Sequence, residues 1–332
     1  MARAAQSAGA AESGFLPGTS IKSLLHDGGE VVGIETDATP GKVLANLVVD
    51  CTGRGSATPR WLPELGFDAP PESKIEVNVG YSSRYYKRAD GAQTPITIVY
   101  PKPPAERRAA TLFAIEGGRW ICTLAGWLGD HPPTDSQGFL DFARSLPAAD
   151  VYRVISQAEP LSEAVPHRFP ANLRRHYEKL ARFPQRYLVM GDAVCSFNPV
   201  YGQGMTSAAL QSEVLAKTVA QGLDVRLAQR YFREVAGIID APWSLAAGED
   251  FRYPEVHGPK PFGTDFVNGY GALLHRAATR DARVYHSFLN VSNFAGFARH
   301  VVQSAECGES DAGEFRSFAE RVRLSSVRPL PS

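Results

Sequence analysis

The middle of the chain alternates apolar and polar residues with a period of two. Apolar side chains from Ile75 to Tyr85 are separated by polar ones such as Glu76, Asn78 and Arg84, which is typical of a strand with one buried face. Further strand patterns follow at 96–100, 112–115 and 120–124. Because the connections between them carry Gly and Pro, residues 74–130 are predicted to form an antiparallel meander.

Short apolar runs elsewhere predict other elements. Val43–Val49 and Tyr187–Met190 have the length of buried strands, and Val31–Ile34 after the Gly28-Gly29 turn predicts a hairpin. Residues 136–182 are predicted to be helical in parts, with an interruption at 167–170, and the tail 241–332 is less regular. Helical spacing over 203–240 predicts two helices separated at Gly222, the second running through Ile238.

Composition narrows the functional classes. The chain has 332 residues, 44% of them hydrophobic and 21% charged, with a formal net charge of zero, which is ordinary for a globular protein and gives no sign of a nucleic-acid partner. No apolar run is long enough to predict a transmembrane segment. Cys51, Cys122, Cys195 and Cys307 are widely separated, which suits a reducing compartment and predicts a cytoplasmic location. No metal-ligand spacing or nucleophile elbow is present in the sequence.

The stretch Tyr187–Leu210 carries the strongest chemical signal. Gly191-Asp192 places a carboxylate after a predicted strand, a loop with Pro199 follows, and Gly202-Gln203-Gly204 opens a helix near Met205. Each part alone is common in ordinary turns. Their ordered combination predicts a ligand site, because a Gly-rich entry admits a ligand to the backbone and a helix start offers free N–H groups. The carboxylate would accept hydrogen bonds from ligand hydroxyls.

A second candidate lies after the first buried strand. Asp50-Cys51-Thr52-Gly53-Arg54 has small side chains and backbone amides at a strand end, where open α/β sheets bind ligands. On these residues alone, a Gly-rich turn leading into a helix at Trp61 is the favoured interpretation.

Together the two stretches resemble the flavin motifs of FAD-dependent monooxygenases of the aromatic-hydroxylase superfamily. The Gly202–Thr206 version is most similar to the squalene-epoxidase and geranylgeranyl-reductase side. The resemblance implies that Asp192 after Gly191 binds ribityl or ribose hydroxyls. It also implies that Gly202, Gly204 and Met205 face the flavin pyrimidine edge and pyrophosphate. The remaining residues implied at the cofactor are Asp50, Thr52, Gly53, Arg54, Pro199 and Gln203.

The resemblance implies an FAD-dependent oxidoreductase, specifically a monooxygenase that hydroxylates or epoxidises an apolar small molecule. In that chemistry NAD(P)H reduces the flavin, O2 adds to it, and the flavin hydroperoxide delivers one oxygen atom. No residue is assigned as catalytic acid or base. The aromatic residues Tyr81, Tyr85, Trp120 and Trp127 are predicted to line the substrate pocket. A flavin-dependent reductase or dehydrogenase acting on prenyl-like alkenes, and a non-catalytic remnant, stay open as alternatives.

The family's first motif, a strand–GxGxxG–helix unit, is absent from the sequence. We therefore expect an N-terminally truncated chain that binds FAD weakly or not at all. The halogenase stretch GWxWxIP is also absent, since Trp127 lies in Ala125-Gly126-Trp127-Leu128-Gly129, which argues against a halogenase.

The predicted fold class is α/β with mixed α+β character. An incomplete Rossmann-like FAD-binding domain carries an inserted antiparallel substrate sheet and C-terminal helices. The predicted segments are 1–72 (partial FAD-binding domain), 73–182 (substrate domain), 183–240 (second flavin motif and helix) and 241–332 (C-terminal helical region). The oligomeric state is left open.

Overall fold

The computed structural model describes residues 14–89, 91, 96–261, 263–283 and 285–286; Cys307 lies outside them. The strands are β1 (Ile21–Asp27), β2 (Glu30–Thr36), β3 (Lys42–Leu44), β4 (Val48–Asp50), β5 (Glu72–Lys87), β6 (Ile96–Val99), β7 (Arg108–Ile115), β8 (Arg119–Gly126), β9 (Val165–Arg175), β10 (Tyr187–Val189) and β11 (Cys195–Ser196). The helices are α1 (Thr58–Glu64), α2 (Ser136–Arg144), α3 (Asp150–Ile155), α4 (Gly204–Ala220), α5 (Leu227–Asp250) and α6 (Thr264–Ala278).

Within the described residues, the strands form three sheets. β1, β2 and β3 make a small antiparallel sheet, β4 and β10 make a parallel pair, and a larger antiparallel sheet has the order β11-β9-β5-β8-β7-β6. The predicted mixed α/β architecture with an antiparallel sheet is confirmed. Two compact units are present, one ending at Gly269 and one beginning at Tyr270.

The single strand predicted over 43–49 is wrong. Lys42–Leu44 pairs with β2, whereas Val48–Asp50 pairs with β10. The chain therefore leaves one sheet and enters another within a few residues. Strands of both sheets contribute apolar residues to this segment, and only Asn46 interrupts them, so hydrophobicity alone does not mark the boundary.

The predicted interruption at 167–170 is also wrong, because these residues lie inside β9. This strand pairs with β5 along its length. Proline lacks an N–H group and is tolerated at bulges. Pro170 lies opposite a bulge of β5 between Glu76 and Val79, where Asn78 adopts a φ of 42°.

The helices after the second motif begin close to where they are predicted. α4 starts at Gly204, and Gly222 follows its end with a φ of 111°. α5 extends beyond the predicted Ile238 and passes through Pro242 to Asp250. Buried residues continue at helical spacing beyond the proline, so tertiary packing holds this helix together. Trp243 and Tyr253 are both buried in the core.

Two apolar clusters flank the large sheet. One includes the parallel pair, α4 and α5, and the other lies between the sheet and the helices α2 and α3. Phe139 and Phe142 of α2 face this second cluster together with Leu146, and this part of 136–182 is helical as predicted. No helix in the described ranges combines the length and apolarity needed to cross a membrane.

Candidate functional site

The parallel pair brings the two motifs together. Val189 of β10 lies opposite Asp50 of β4, and the N–H of Met190 donates to the Asp50 carbonyl at 2.9 Å. Tight turns then follow each strand, and a methyl group built on Gly53 would lie 4.0 Å from the Cβ of Asp192. Two segments far apart in sequence therefore form one strand-end site, which is where open α/β sheets bind ligands.

Asp50 organises the first turn. Its buried carboxylate accepts hydrogen bonds from the N–H and hydroxyl of Thr52 and from the hydroxyls of Ser56 and Thr58, at 2.5–2.8 Å. Burial raises the pKa of this carboxyl, but the hydrogen bonds outweigh burial and hold the pKa below its ordinary value. The Asp50 carboxylate is thus committed to the turn that presents Gly53, whose φ is 79°.

Replacing Asp50 with asparagine should lower the free energy of unfolding by about 2 kcal/mol at neutral pH, the magnitude for hydrogen bonds to a charged group. The folded pKa is depressed, so the stabilisation is present above the unfolded pKa of about 3.9 and is lost as pH falls through the folded value. Urea unfolding of wild type and Asp50→Asn between pH 3 and 7 measures how the stabilisation by Asp50 depends on pH. The difference between wild type and Asp50→Asn should narrow below about pH 4. Asp68→Asn, at an exposed position, controls for the loss of one negative charge. A difference independent of pH would contradict the assignment.

The second carboxylate of the site, that of Asp192, is exposed, whereas that of Asp50 is buried. The protein packed around the Asp192 carboxyl nevertheless raises its pKa, against a hydrogen bond from Ser196 and the charge of Arg54. A methyl group built on Gly204 would lie 3.8 Å from Asp192 Oδ1. The carboxylate therefore lies between the Gly53 turn and the start of α4, where it can accept hydrogen bonds from a ligand.

The loop before α4 positions the helix start. Asn198 accepts a hydrogen bond from the Val200 N–H, and the exposed Pro199 begins a short turn that ends at Gly202, with a φ of 67°. Gln203 is buried and donates to the Tyr201 carbonyl at 3.1 Å. This arrangement directs the first turn of α4 outwards.

The first turn of α4 has no side-chain cap among the described residues and no acidic residue. Met205 is 84% exposed. Helix starts leave N–H groups without intrahelical partners and carry the positive end of the helix dipole. The start of α4 is therefore suited to anionic or electron-rich oxygen atoms.

Arg54 adds a cationic group at the same edge. Its Nη1 donates to the Ala171 carbonyl at 2.5 Å, and its guanidinium lies 5.1 Å from the ring centre of Phe169. Burial and the charge of Arg175 lower its pKa, whereas Asp192 opposes that shift. The Arg54 side chain is thus held against β9 beside Asp192.

Two supporting side chains escape prediction from the sequence. Arg175 donates to the carbonyls of Arg54 and Ala193, and Gln211 of α4 accepts a hydrogen bond from the Gly191 N–H at 2.8 Å. Both stabilise the turns without belonging to a motif. Only their position in the fold reveals them.

A buried carboxylate, also absent from the sequence prediction, lies beneath the loop before α4. Asp250 is fully buried and accepts hydrogen bonds from Trp127, Asn172, Asn198 and Tyr201, at 2.7–3.2 Å. Burial raises the pKa of its carboxyl, whereas these four donors favour the ionised form. The network joins the end of α5 to the large sheet and to the loop that leads into α4.

The predicted aromatic pocket is wrong as a set. Tyr81 and Tyr85 lie on the same face of the large sheet as Phe169. The Arg54 guanidinium packs over the ring of Phe169. Trp120 pairs with Tyr86 on the opposite face and is buried against α2 and α3. Trp127 is buried beside Asp250. Adjacent strand residues point to opposite faces, and the strand register that decides which aromatics share a face is not visible in the sequence.

These residues fit a flavin cofactor. An exposed carboxylate suits ribityl or ribose hydroxyls, and the uncapped start of α4 with Arg54 suits a pyrophosphate or the electron-rich edge of the ring. Glycines with positive φ at 53, 191 and 202 leave the backbone open at this edge. Among the described residues, no group of three or more His, Cys, Asp or Glu side chains forms a metal site.

Solved structures of other proteins have a similar fold. The flavin-dependent brominase Bmp2 matches with a TM-score of 0.57 at 15% identity, over 92% of this chain and 70% of the brominase. The OxyS anhydrotetracycline hydroxylase from Streptomyces rimosus matches with a TM-score of 0.52 at 16% identity, over 83% of this chain and 52% of the hydroxylase. The fold of the chain is therefore similar to the folds of flavin-dependent halogenases and hydroxylases.

Sequence comparison adds a more similar relative. Protein Rv3254 of Mycobacterium tuberculosis (strain ATCC 25618 / H37Rv) is 33% identical over 177 residues, which is 53% of this chain and 37% of that protein. The chain thus spans little more than a third of the length of this curated relative. No protein-family profile matches the chain.

Proposed function

We propose that the chain is an FAD-dependent oxidoreductase, specifically a monooxygenase that hydroxylates or epoxidises an apolar small molecule with electrons from NAD(P)H. One observation carries the proposal. The Gly53 turn, Asp192 and the uncapped start of α4 converge at the carboxyl end of the β4–β10 pair.

Each part of the site has a defined task. Asp192 would accept hydrogen bonds from the ribityl or ribose hydroxyls, and the backbone at Gly202, Gly204 and Met205 would bind electron-rich oxygen at the helix start. When bound, the flavin supplies the transfer of electrons from NAD(P)H and the reaction with O2. The chain's own residues bind and orient the cofactor.

The charge at this edge supports the same ligand. The uncapped start of α4 carries the positive end of the helix dipole, and Arg54, whose charge acts on Asp192, lies in the Gly53 turn. Both stabilise negative charge. The Asp50 carboxylate is not available to a ligand, because it accepts hydrogen bonds from Thr52, Ser56 and Thr58 of its own turn.

The proposal of an apolar substrate is supported by apolar side chains on one face of the large sheet, and not by the four aromatic residues predicted to line the pocket. The face that carries Phe169 also carries Tyr85, Ile98, Phe113 and Ile121. Tyr85 and Ile98 are exposed at 39% and 43%, and the other two are partly buried. Apolar side chains that are partly exposed to solvent are suited to binding an apolar ligand.

The proposal is tested by titrating FAD into the purified chain, and into a version extended upstream in frame, with flavin fluorescence as the readout. We expect one FAD per chain in at least one form. Tight flavin binding by the chain without the extension would overturn the expectation that it binds FAD weakly or not at all. If neither form binds FAD, the oxidoreductase assignment fails and the non-catalytic remnant is supported.

Oxygen uptake separates the two enzymatic candidates. A monooxygenase consumes O2 in step with NAD(P)H when its apolar substrate is added, with little excess hydrogen peroxide. A reductase of prenyl-like alkenes oxidises NAD(P)H with its substrate under anaerobic conditions. Anaerobic turnover would therefore contradict the monooxygenase assignment while preserving the flavin site.

A further inference from the structure

A single arginine contacts both turns of the site. Arg175 lies at the end of β9 and is 7% exposed. Its Nη2 donates to the carbonyl of Arg54 and its Nη1 to the carbonyl of Ala193, both at 3.0 Å. Arg54 belongs to the turn after β4, and Ala193 belongs to the turn after β10. The guanidinium therefore connects the two segments directly.

The remaining contacts of Arg175 fix its orientation. Its Nε donates to Glu72 Oε1 at 3.0 Å, and its backbone N–H donates to the Val194 carbonyl at 2.9 Å. A guanidinium is a rigid planar group that can donate in several directions at once. A lysine ammonium would keep the charge but has one nitrogen atom, so it cannot reproduce this set of contacts.

We propose that Arg175 is a positioning residue of the flavin site. By bonding to both carbonyls it sets the separation of the two turns, and hence the placement of Gly53 relative to Asp192. This inference rests on the proposed function, because the turns matter together only if one ligand contacts both. Arg175 acts through the backbone of the turns and does not itself contact the cofactor.

The preceding residue supplies a matched control. Arg174 is 6% exposed, and its Nη1 donates to Asp240 Oδ1 at 2.7 Å, while its Nη2 lies 3.6 Å from Glu178. These contacts lead to α5 and to the segment after β9, not to the turns. The two arginines thus share strand, burial and charge but differ in the groups they contact.

The test compares Arg175→Lys with Arg174→Lys in the form of the protein that binds FAD. We expect Arg175→Lys to raise the dissociation constant for FAD at least tenfold and to accelerate amide hydrogen exchange in peptides spanning 50–56 and 190–196. Arg174→Lys should leave the FAD dissociation constant within twofold. Its exchange increase should appear near residues 177–179 and 240. Thermal unfolding of each variant gives the global change in stability.

A second variant with a smaller expected effect keeps the proposal testable if Arg175→Lys does not fold. Glu72→Ala removes the carboxylate that orients Nε but keeps both carbonyl contacts, so we expect a rise of about threefold in the FAD dissociation constant. The inference is overturned if Arg175→Lys binds FAD as tightly as wild type, or if both lysine variants lose FAD affinity equally. Absence of FAD binding in wild type would instead overturn the proposed function, and the positioning role with it.

Discussion

Replacing Asp250 with alanine should lower the free energy of unfolding by about 4 kcal/mol, because each buried donor left without an acceptor costs about 1–3 kcal/mol. The carboxylate accepts hydrogen bonds from Trp127, Asn172, Asn198 and Tyr201. Alanine would leave all four donors facing a cavity. Urea unfolding monitored by tryptophan fluorescence measures the change.

Two further variants grade this effect. Tyr201→Phe removes one donor and leaves the carboxylate with the other three, so a loss of about 1 kcal/mol is expected. Asp265→Ala removes a carboxylate that is 82% exposed and should change stability by less than about 0.5 kcal/mol. A loss of stability below about 1 kcal/mol for Asp250→Ala would mean that water replaces the carboxylate as the hydrogen-bond acceptor. The hydrogen-bond network of Asp250 would then not be what holds the loop before α4 in place.

The second large effect concerns ligand binding. Asp192→Ala should raise the dissociation constant for FAD by about ten- to a hundredfold, since lost hydrogen bonds to a charged group cost about 1.5–3 kcal/mol. Its effect on the unfolding temperature should be small, because the residue is exposed. Fluorescence titration with FAD and thermal unfolding of the same samples provide both measurements.

Asp50→Asn is the matched comparison for Asp192→Ala. In the wild-type protein, Asp50 and Asp192 each place a carboxylate at the end of a strand. Only the Asp50 carboxylate accepts hydrogen bonds from Thr52, Ser56 and Thr58. We therefore expect opposite patterns, with stability lost mainly at Asp50 and direct ligand affinity lost mainly at Asp192. Unchanged FAD affinity in Asp192→Ala would remove this carboxylate from the proposed site.

The sequence predicts those parts of the site whose cause is local. The strand at Tyr187, the turn at Gly191 and the helix start at Gly204 follow from a short apolar run, glycines with positive φ and helical spacing. Each signal involves neighbouring residues. For the same reason the alternation from Ile75 to Tyr85 correctly predicts a strand.

The parts that escape prediction depend on distant partners. Arg175 and Asp250 are ordinary charged residues in the sequence, and their roles come from carbonyls and donors in other elements. The strand β9 is hidden because Pro170 breaks the expected strand pattern, and the bulge of β5 that lies opposite this proline is not visible in the sequence. Trp120 and Tyr85 are separated onto opposite faces by the register between β5 and β8.

The parallel pairing of β4 with β10 has a consequence for how the protein folds. The whole large sheet except β11 lies between these strands in the chain. Closing so long a loop has an entropic cost that is offset once the intervening segment is compact, and contacts of large sequence separation form slowly. During synthesis the Asp50 turn would emerge long before Tyr187, so the sheet would fold first and bring the two halves of the ligand site together as a late event.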